Sequence, residues 1–117
     1  MIKIANQLWI EAGEVIDNEV IYTIGLTPDL QDEAGEISYA SIADLGEIIE
    51  DETILNLEAS KAAIEIPAPF NAVIIERNEA AETSTNLLDS ESKTDNWIVK
   101  VKSVDSTVFD QLENFKA

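Results

Sequence analysis

Ile54-Leu55-Asn56-Leu57-Glu58-Ala59-Ser60-Lys61-Ala62-Ala63-Ile64-Glu65-Ile66 sets a single amine between two short apolar runs. Lys61 is the only basic residue between Lys3 and Arg77, in a stretch crowded with acids from Glu11 and Glu14 through Glu50, Asp51 and Glu52 to Glu65. Two local structures fit. Leu57 to Ala63 is rich in helix formers and spaces Glu58 and Lys61 as an i,i+3 pair, so one is a short helix with an exposed lysine. The other is a pair of strands joined by a turn around Lys61, because short apolar runs do not distinguish strand from buried helix. Any helix ends before Pro67, which pushes Ile66 toward extended backbone. The residues alone leave both open. On the helix, Lys61 is an ordinary solvated side chain; at a turn, it is an amine presented for covalent attachment.

The composition around this stretch bounds the function. A chain of 117 residues with 45% hydrophobic content fits one domain over residues 1–117, with enough apolar residues for a single core. The formal charge of −17 repels nucleic acid and anionic membranes and favours partners with basic docking surfaces. Cysteine and histidine are both absent. That excludes disulfides, thiolate nucleophiles, Cys/His zinc sites and Ser-His-Asp triads, so any sulfur chemistry must come from an attached group. No secretory signal pattern follows Met1-Ile2-Lys3, and no run reaches membrane-spanning length, so a cytoplasmic protein is expected.

Outward from Lys61 the chain reads mainly as short strands. Leu8-Trp9-Ile10 and Val15-Ile16 lead to a turn at Asp17-Asn18. Val20-Ile21-Tyr22-Thr23-Ile24 follows as a strand with Val20, Tyr22 and Ile24 on one face. Thr27 as N-cap, Pro28 at the first helical position and Gly35 as stop predict one or two helical turns near residues 28–34. Val73-Ile74-Ile75 is apolar, and Arg77 to Asn96 reads as polar loop. In Trp97-Ile98-Val99-Lys100-Val101-Lys102, alternation puts Trp97, Val99 and Val101 inward and both lysines outward, and Trp9 is likewise assigned to the core. Val108-Phe109, Leu112 and Phe115 have helical spacing, with Asp105 or Ser106 as cap. Glu50-Asp51-Glu52 lacks calcium-loop spacing and reads as a solvated loop, and Ser90-Glu91-Ser92-Lys93 matches Ser-x-x-Lys without its companion motifs.

Glu58-Ala59-Ser60-Lys61-Ala62, followed by Ala68-Pro69 and Val73-Ile74, resembles the lipoyl-attachment hairpin of lipoyl-carrier domains. Tyr22-Thr23-Ile24-Gly25-Leu26-Thr27 is similar to the Tyr-Thr-Val-Gly-Ile-Thr segment of the glycine cleavage system H protein family. Trp9-Ile10, Gly35-Glu36-Ile37, Gly46, Asn78 and Trp97-Ile98-Val99-Lys100-Val101 follow that family's order and spacing. The chain thus resembles a short, divergent H-like member. It departs from the pattern at Gln7-Leu8-Trp9 for His-Glu-Trp, and at Asp44-Leu45 for Leu-Pro. Ala72 replaces one glycine and Asn96 another, and because asparagine tolerates left-handed backbone the second swap need not disturb the fold. Ser92-Lys93-Thr94-Asp95 has no counterpart of the family's Pro-Tyr.

The resemblance implies a mainly β fold, a two-sheet flattened barrel or sandwich of the barrel-sandwich hybrid type, with short helices near residues 28–34 and at the C-terminus. It implies lipoate on Lys61 at a hairpin tip, small neighbours admitting a ligase, and Glu58 as the acidic position that a lipoate-protein ligase or lipoyl transferase recognises. The implied role is non-catalytic: the arm shuttles an aminomethyl group and reducing equivalents among glycine decarboxylase, aminomethyltransferase and dihydrolipoamide dehydrogenase. Three alternatives stand beside it. One is a stand-alone H-like carrier for lipoyl relay or macrodomain/sirtuin-linked redox defence, with Asp29 as an ADP-ribosylation candidate. Another is an unmodified acidic interaction module. The third is a biotin carrier, which the lack of methionines around Lys61 disfavours.

Overall fold

The computed structural model describes residues 1–115. Among these residues are ten strands, in two sheets, and four short α-helices. β1 (Ile2–Ala5), β2 (Leu8–Ile16), β3 (Glu19–Leu26), β5 (Gly46–Ile48), β8 (Ala72–Arg77), β9 (Trp97–Lys102) and β10 (Glu113–Asn114) form a seven-stranded sheet in the order β10-β1-β2-β3-β9-β8-β5. β4 (Ile37–Ile42), β6 (Thr53–Ala59) and β7 (Ala63–Pro67) form a three-stranded sheet in the order β4-β6-β7. All pairings are antiparallel. The mainly β, two-sheet expectation holds.

Local chemistry explains most of the connections. Asp17 and Asn18 have φ of 52° and 66°, the left-handed pair that a two-residue hairpin between Ile16 and Glu19 requires. Asn6 and Gln7 repeat those angles between β1 and β2, a turn the sequence reading did not single out. α1 (Pro28–Ala34) forms as expected: the Thr27 hydroxyl accepts from the Leu30 N–H, Pro28 opens the helix, and Gly35 N–H closes it on Gln31 O. One apolar core joins the sheets, drawing Leu8, Ile10, Tyr22 and Ile24 from one and Leu55, Leu57 and Ile66 from the other, with Leu30 of α1 between them.

Several expectations are corrected. Trp97 is half-buried and lies outside the core, with the Lys100 ammonium 5.7 Å from its ring centroid. The cause is a bulge: Ile24 pairs with Val99 and Gly25 with Trp97, so Ile98 is the extra residue and takes the buried place. Trp9, by contrast, is buried as expected. It covers Gly25, where an added Cβ would stand 2.4 Å from the indole ring. The segment from Arg77 to Asn96 is not open loop. It folds into α2 (Ala80–Thr83), a 3-10 turn (Thr85–Asp89) and α3 (Lys93–Asn96).

Asn96 is not among the positive-φ residues; its value lies in its buried side chain. The amide oxygen accepts from the Trp9 indole N–H at 2.9 Å and the amide nitrogen donates to Ser90 O at 2.9 Å. The C-terminal helix, α4 (Ser106–Asp110), is capped by Asp105 but stops before Leu112. β10 follows it and pairs with β1 instead. No helix among the described residues is long and apolar enough to cross a membrane.

Candidate functional site around Lys61

The helix alternative for residues 57–63 fails because the strands bury alternate side chains. Leu55 and Leu57 of β6 and Ile66 of β7 face the core, while Glu58, Ala63 and Glu65 are exposed. A helical turn there would take this period-2 apolar set off the core. Glu58 pairs with Ala63, Ala59 N–H donates to Ala62 O at 3.0 Å, and Ser60-Lys61 forms the tip.

The tip does not project freely. It docks on the C-terminal end of α1, where the last carbonyls of a helix lack intrahelical donors. Lys61 N–H donates to Ala34 O at 3.0 Å and Ser60 N–H to Glu36 O at 2.8 Å. The Ser60 hydroxyl accepts from Glu36 N–H at 3.0 Å, and the Lys61 ammonium donates to Asp32 O at 3.2 Å. Gly35 makes the approach possible. Its φ of 77° suits glycine, and an added Cβ would lie 2.5 Å from Ser60 Oγ and 3.0 Å from Lys61 Cγ. In the sequence Gly35 reads as the helix stop and as part of the family-like Gly35-Glu36-Ile37, and Ser60 as a small neighbour of Lys61. Nothing near either residue in the chain signals that they meet.

The electrostatic setting of Lys61 is distinctive. Arg77, Lys93, Lys100 and Lys102 each have a carboxylate within 4.0 Å. Lys3 is buried, donating to Asp110 O and Asn114 Oδ1. Among the lysines of the described residues, Lys61 is therefore the exposed one with no ion pair, and its ammonium donates to one carbonyl. Once deprotonated, it is accessible to an activated carboxyl group, and Ala59, Ala62 and Ala63 leave space around it.

Glu58 is exposed on the outer face of the small sheet. It borders a shallow depression of about 410 Å³ with Tyr39, Ser41, Asn56, Ala63 and Glu65. Asp29 is exposed in the first turn of α1, whereas Asp32 and Ala34, toward the other end, hold the tip. The structure brings Glu58 beside Lys61 on one hairpin but makes no hydrogen bond between Asp29 and either residue. Asp89, in the 3-10 turn, accepts from Ile37 N–H at 3.3 Å. The residue is exposed, but partial desolvation of its carboxyl raises it above the ordinary range; the Ile37 bond opposes the rise and Glu36 adds to it. Glu50-Asp51-Glu52 forms a tight turn in which the Glu52 carboxylate accepts from Ile49 N–H. No group of three or more His, Cys, Asp or Glu among the described residues is arranged to hold a metal.

A family model described as glycine cleavage H-protein matches residues 4–117. A glycine cleavage system H-like protein of Staphylococcus aureus is 38% identical over 109 residues, covering 93% of this chain and 94% of that one. A probable glycine cleavage system H protein of Thermococcus gammatolerans is 34% identical over 93 residues, 79% of this chain and 68% of that one. Among solved structures, a glycine cleavage system H protein from Mycobacterium marinum superposes with a TM-score of 0.72 at 18% identity, covering 94% of both chains. That likeness is one of fold.

Proposed function

The chain belongs to the glycine cleavage H-protein family, and on that premise we propose that residues 1–117 form one lipoyl-carrier domain, with lipoate in amide linkage on Lys61. The observation that carries this reading is the hairpin tip itself. It holds the one exposed lysine without an ion pair among the described residues, framed by alanines and strapped to α1. Those residues fit the group, since acylation replaces an ammonium whose hydrogen bond is to Asp32 O, and an amide N–H can still donate there. When bound, the dithiolane supplies the redox and group-carrying sulfur chemistry that a chain without cysteine lacks.

The protein's own work is presentation. β6 and β7 hold the lysine at a turn, and the strap to α1 fixes where its stem leaves the surface. Glu58 is the acidic contact for a lipoate-protein ligase or lipoyl transferase. The acidic surface steers the carrier toward basic rims on glycine decarboxylase, aminomethyltransferase and dihydrolipoamide dehydrogenase. A tethered arm raises the effective concentration of its end at each. The carrier is cytoplasmic and catalyses no step itself.

Intact-mass analysis after incubation with lipoate, ATP and a lipoate-protein ligase tests the attachment: wild type gains one lipoyl group and Lys61→Arg gains none. No gain by wild type leaves an unmodified acidic interaction module. A gain by the variant means that another lysine is the site.

One observation favours a second pathway for the same carrier. A relative matched along nearly its whole length, that of Staphylococcus aureus, is called H-like, and this chain departs from the family pattern at Gln7-Leu8, Asp44-Leu45 and Asn96. In that reading it is a stand-alone carrier for lipoyl relay or redox defence beside a macrodomain and a sirtuin, with Asp29 as an ADP-ribosylation site. Glycine decarboxylation reconstituted with the lipoylated protein separates the two, since the stand-alone carrier supports none.

A further inference from the structure

The two edges of the small sheet are treated differently. β4's outer edge is covered. Ile37 N–H donates to the Asp89 carboxylate, and Ile37 O accepts from the Thr85 hydroxyl. Ile42 N–H donates to the Glu82 carboxylate, and Ile42 O accepts from the Arg77 guanidinium. These side chains come from the segment between Arg77 and Asp89, which closes that edge to any further strand.

β7 lies at the other edge of the sheet. The bond from Ala59 N–H to Ala62 O fixes the ladder's phase: residues 62, 64 and 66 turn their backbone groups toward β6, and Ala63 and Glu65 turn theirs away. Among the described residues, neither Ala63 nor Glu65 has a backbone hydrogen bond on that outer side, and both are exposed. Pro67 O, at the far end of β7, accepts from the Asn6 side chain at 2.8 Å, so the open stretch is Ala63 to Glu65. Such an open edge invites pairing, and folds ordinarily block it, as this one does along β4.

The geometry points to the β7 edge as the docking strand for the enzyme that acylates Lys61, taken up by an extended segment of that enzyme as an added antiparallel strand. This inference rests on the carrier reading above. Three features select the occupant. The open edge begins two residues after Lys61, so pairing with Ala63 and Glu65 brings the partner's backbone beside the amine. The exposed side chains on this strand and its neighbour include Glu65 and Glu58, so a segment with Lys or Arg at alternate positions complements them. A second copy of this chain is disfavoured, because self-pairing sets Glu65 against its own counterpart between molecules of charge −17.

Glu65→Pro tests this, because the lost N–H points outward and the bonds between β6 and β7 are kept. Glu65→Ala, which lacks the charge but retains the N–H, is its control. With lipoate, ATP and a lipoate-protein ligase, lipoylation of Lys61 read by intact mass should have a kcat/KM about tenfold lower for Glu65→Pro than for Glu65→Ala. Glu65→Ala itself should differ from wild type mainly in salt dependence. Equal rates for the two variants, with wild type modified normally, overturn the edge and leave the carrier reading intact. No modification of wild type removes both.

Because proline can disturb the strand, amide exchange of Lys61→Arg gives a reading free of that change. The Ala63 and Glu65 amides should exchange quickly alone and slow at least tenfold in complex with the ligase holding lipoyl adenylate. Unchanged exchange in that complex, or slow exchange of the free protein as a dimer, overturns the inference.

Discussion

Gly35→Ala tests whether the strap between the hairpin tip and α1 holds Lys61 in place. Gly35 has φ of 77° and ψ of −153°, a region that costs a residue with a side chain about 1–3 kcal/mol. The new methyl would also lie 2.5 Å from Ser60 Oγ, 3.0 Å from Lys61 Cγ and 3.3 Å from Cδ. The lysine stem can give by a few tenths of an ångström, but the hydroxyl must turn away and release Glu36 N–H, a loss of about 1 kcal/mol. Together the two contributions come to about 2–4 kcal/mol.

In urea, unfolding followed by Trp9 and Trp97 fluorescence should shift its midpoint down by about 1–2 M, for a slope of about 2 kcal/mol per M. Ser60→Ala alone should cost about 1 kcal/mol, and Gly35→Ala with Ser60→Ala should cost no more than Gly35→Ala, because the hydroxyl is shared between the two effects. A loss below about 0.5 kcal/mol for Gly35→Ala, or simple additivity of the pair, would refute the strap.

Two further outcomes follow from contacts away from the tip. Asn96→Ala leaves the buried Trp9 indole N–H without its acceptor and should lower stability by about 1–3 kcal/mol in the same assay; a neutral result would mean that the bond is replaced. Asp89→Asn keeps an acceptor for Ile37 N–H while removing an exposed carboxyl whose pKa is raised by partial desolvation and by Glu36. Such a group weakens the folded state above its folded pKa and is neutral below its unfolded one. The variant should therefore gain on wild type as pH rises from about 4 to 7 and match it at the acid end; a gain that grows on acidification contradicts the assignment.

Much of the fold was legible where neighbouring residues settle their own backbone. Thr27, Pro28 and Gly35 delimit α1 through a side-chain cap, a fixed φ and a positive φ. Asp17-Asn18 makes its turn because those residues accept left-handed angles. Other features depended on partners remote in the chain. Period-2 reading sent Trp97 inward, but the bulge at Ile98 is set by pairing with β3, and it moved the indole out beside Lys100. The polar run from Arg77 carries side chains that close the edge of β4, which gives those residues a reason to fold into helical turns.

Lys61 shows the division most clearly. Its solitude among acids, its small neighbours and its family resemblance are properties of the chain as written, and they named the residue. Whether it sat on a helix or a hairpin was undecided locally, because helix propensity amounts to tenths of a kcal/mol per residue whereas burying Leu55, Leu57 and Ile66 in strands contributes several. Only the tertiary structure brings Glu36 and Asp32, 24 and 29 residues away in the pairs that bind the tip, against Ser60 and Lys61. Contacts at that separation form when both sheets close on one core, and no local pattern of residues encodes them.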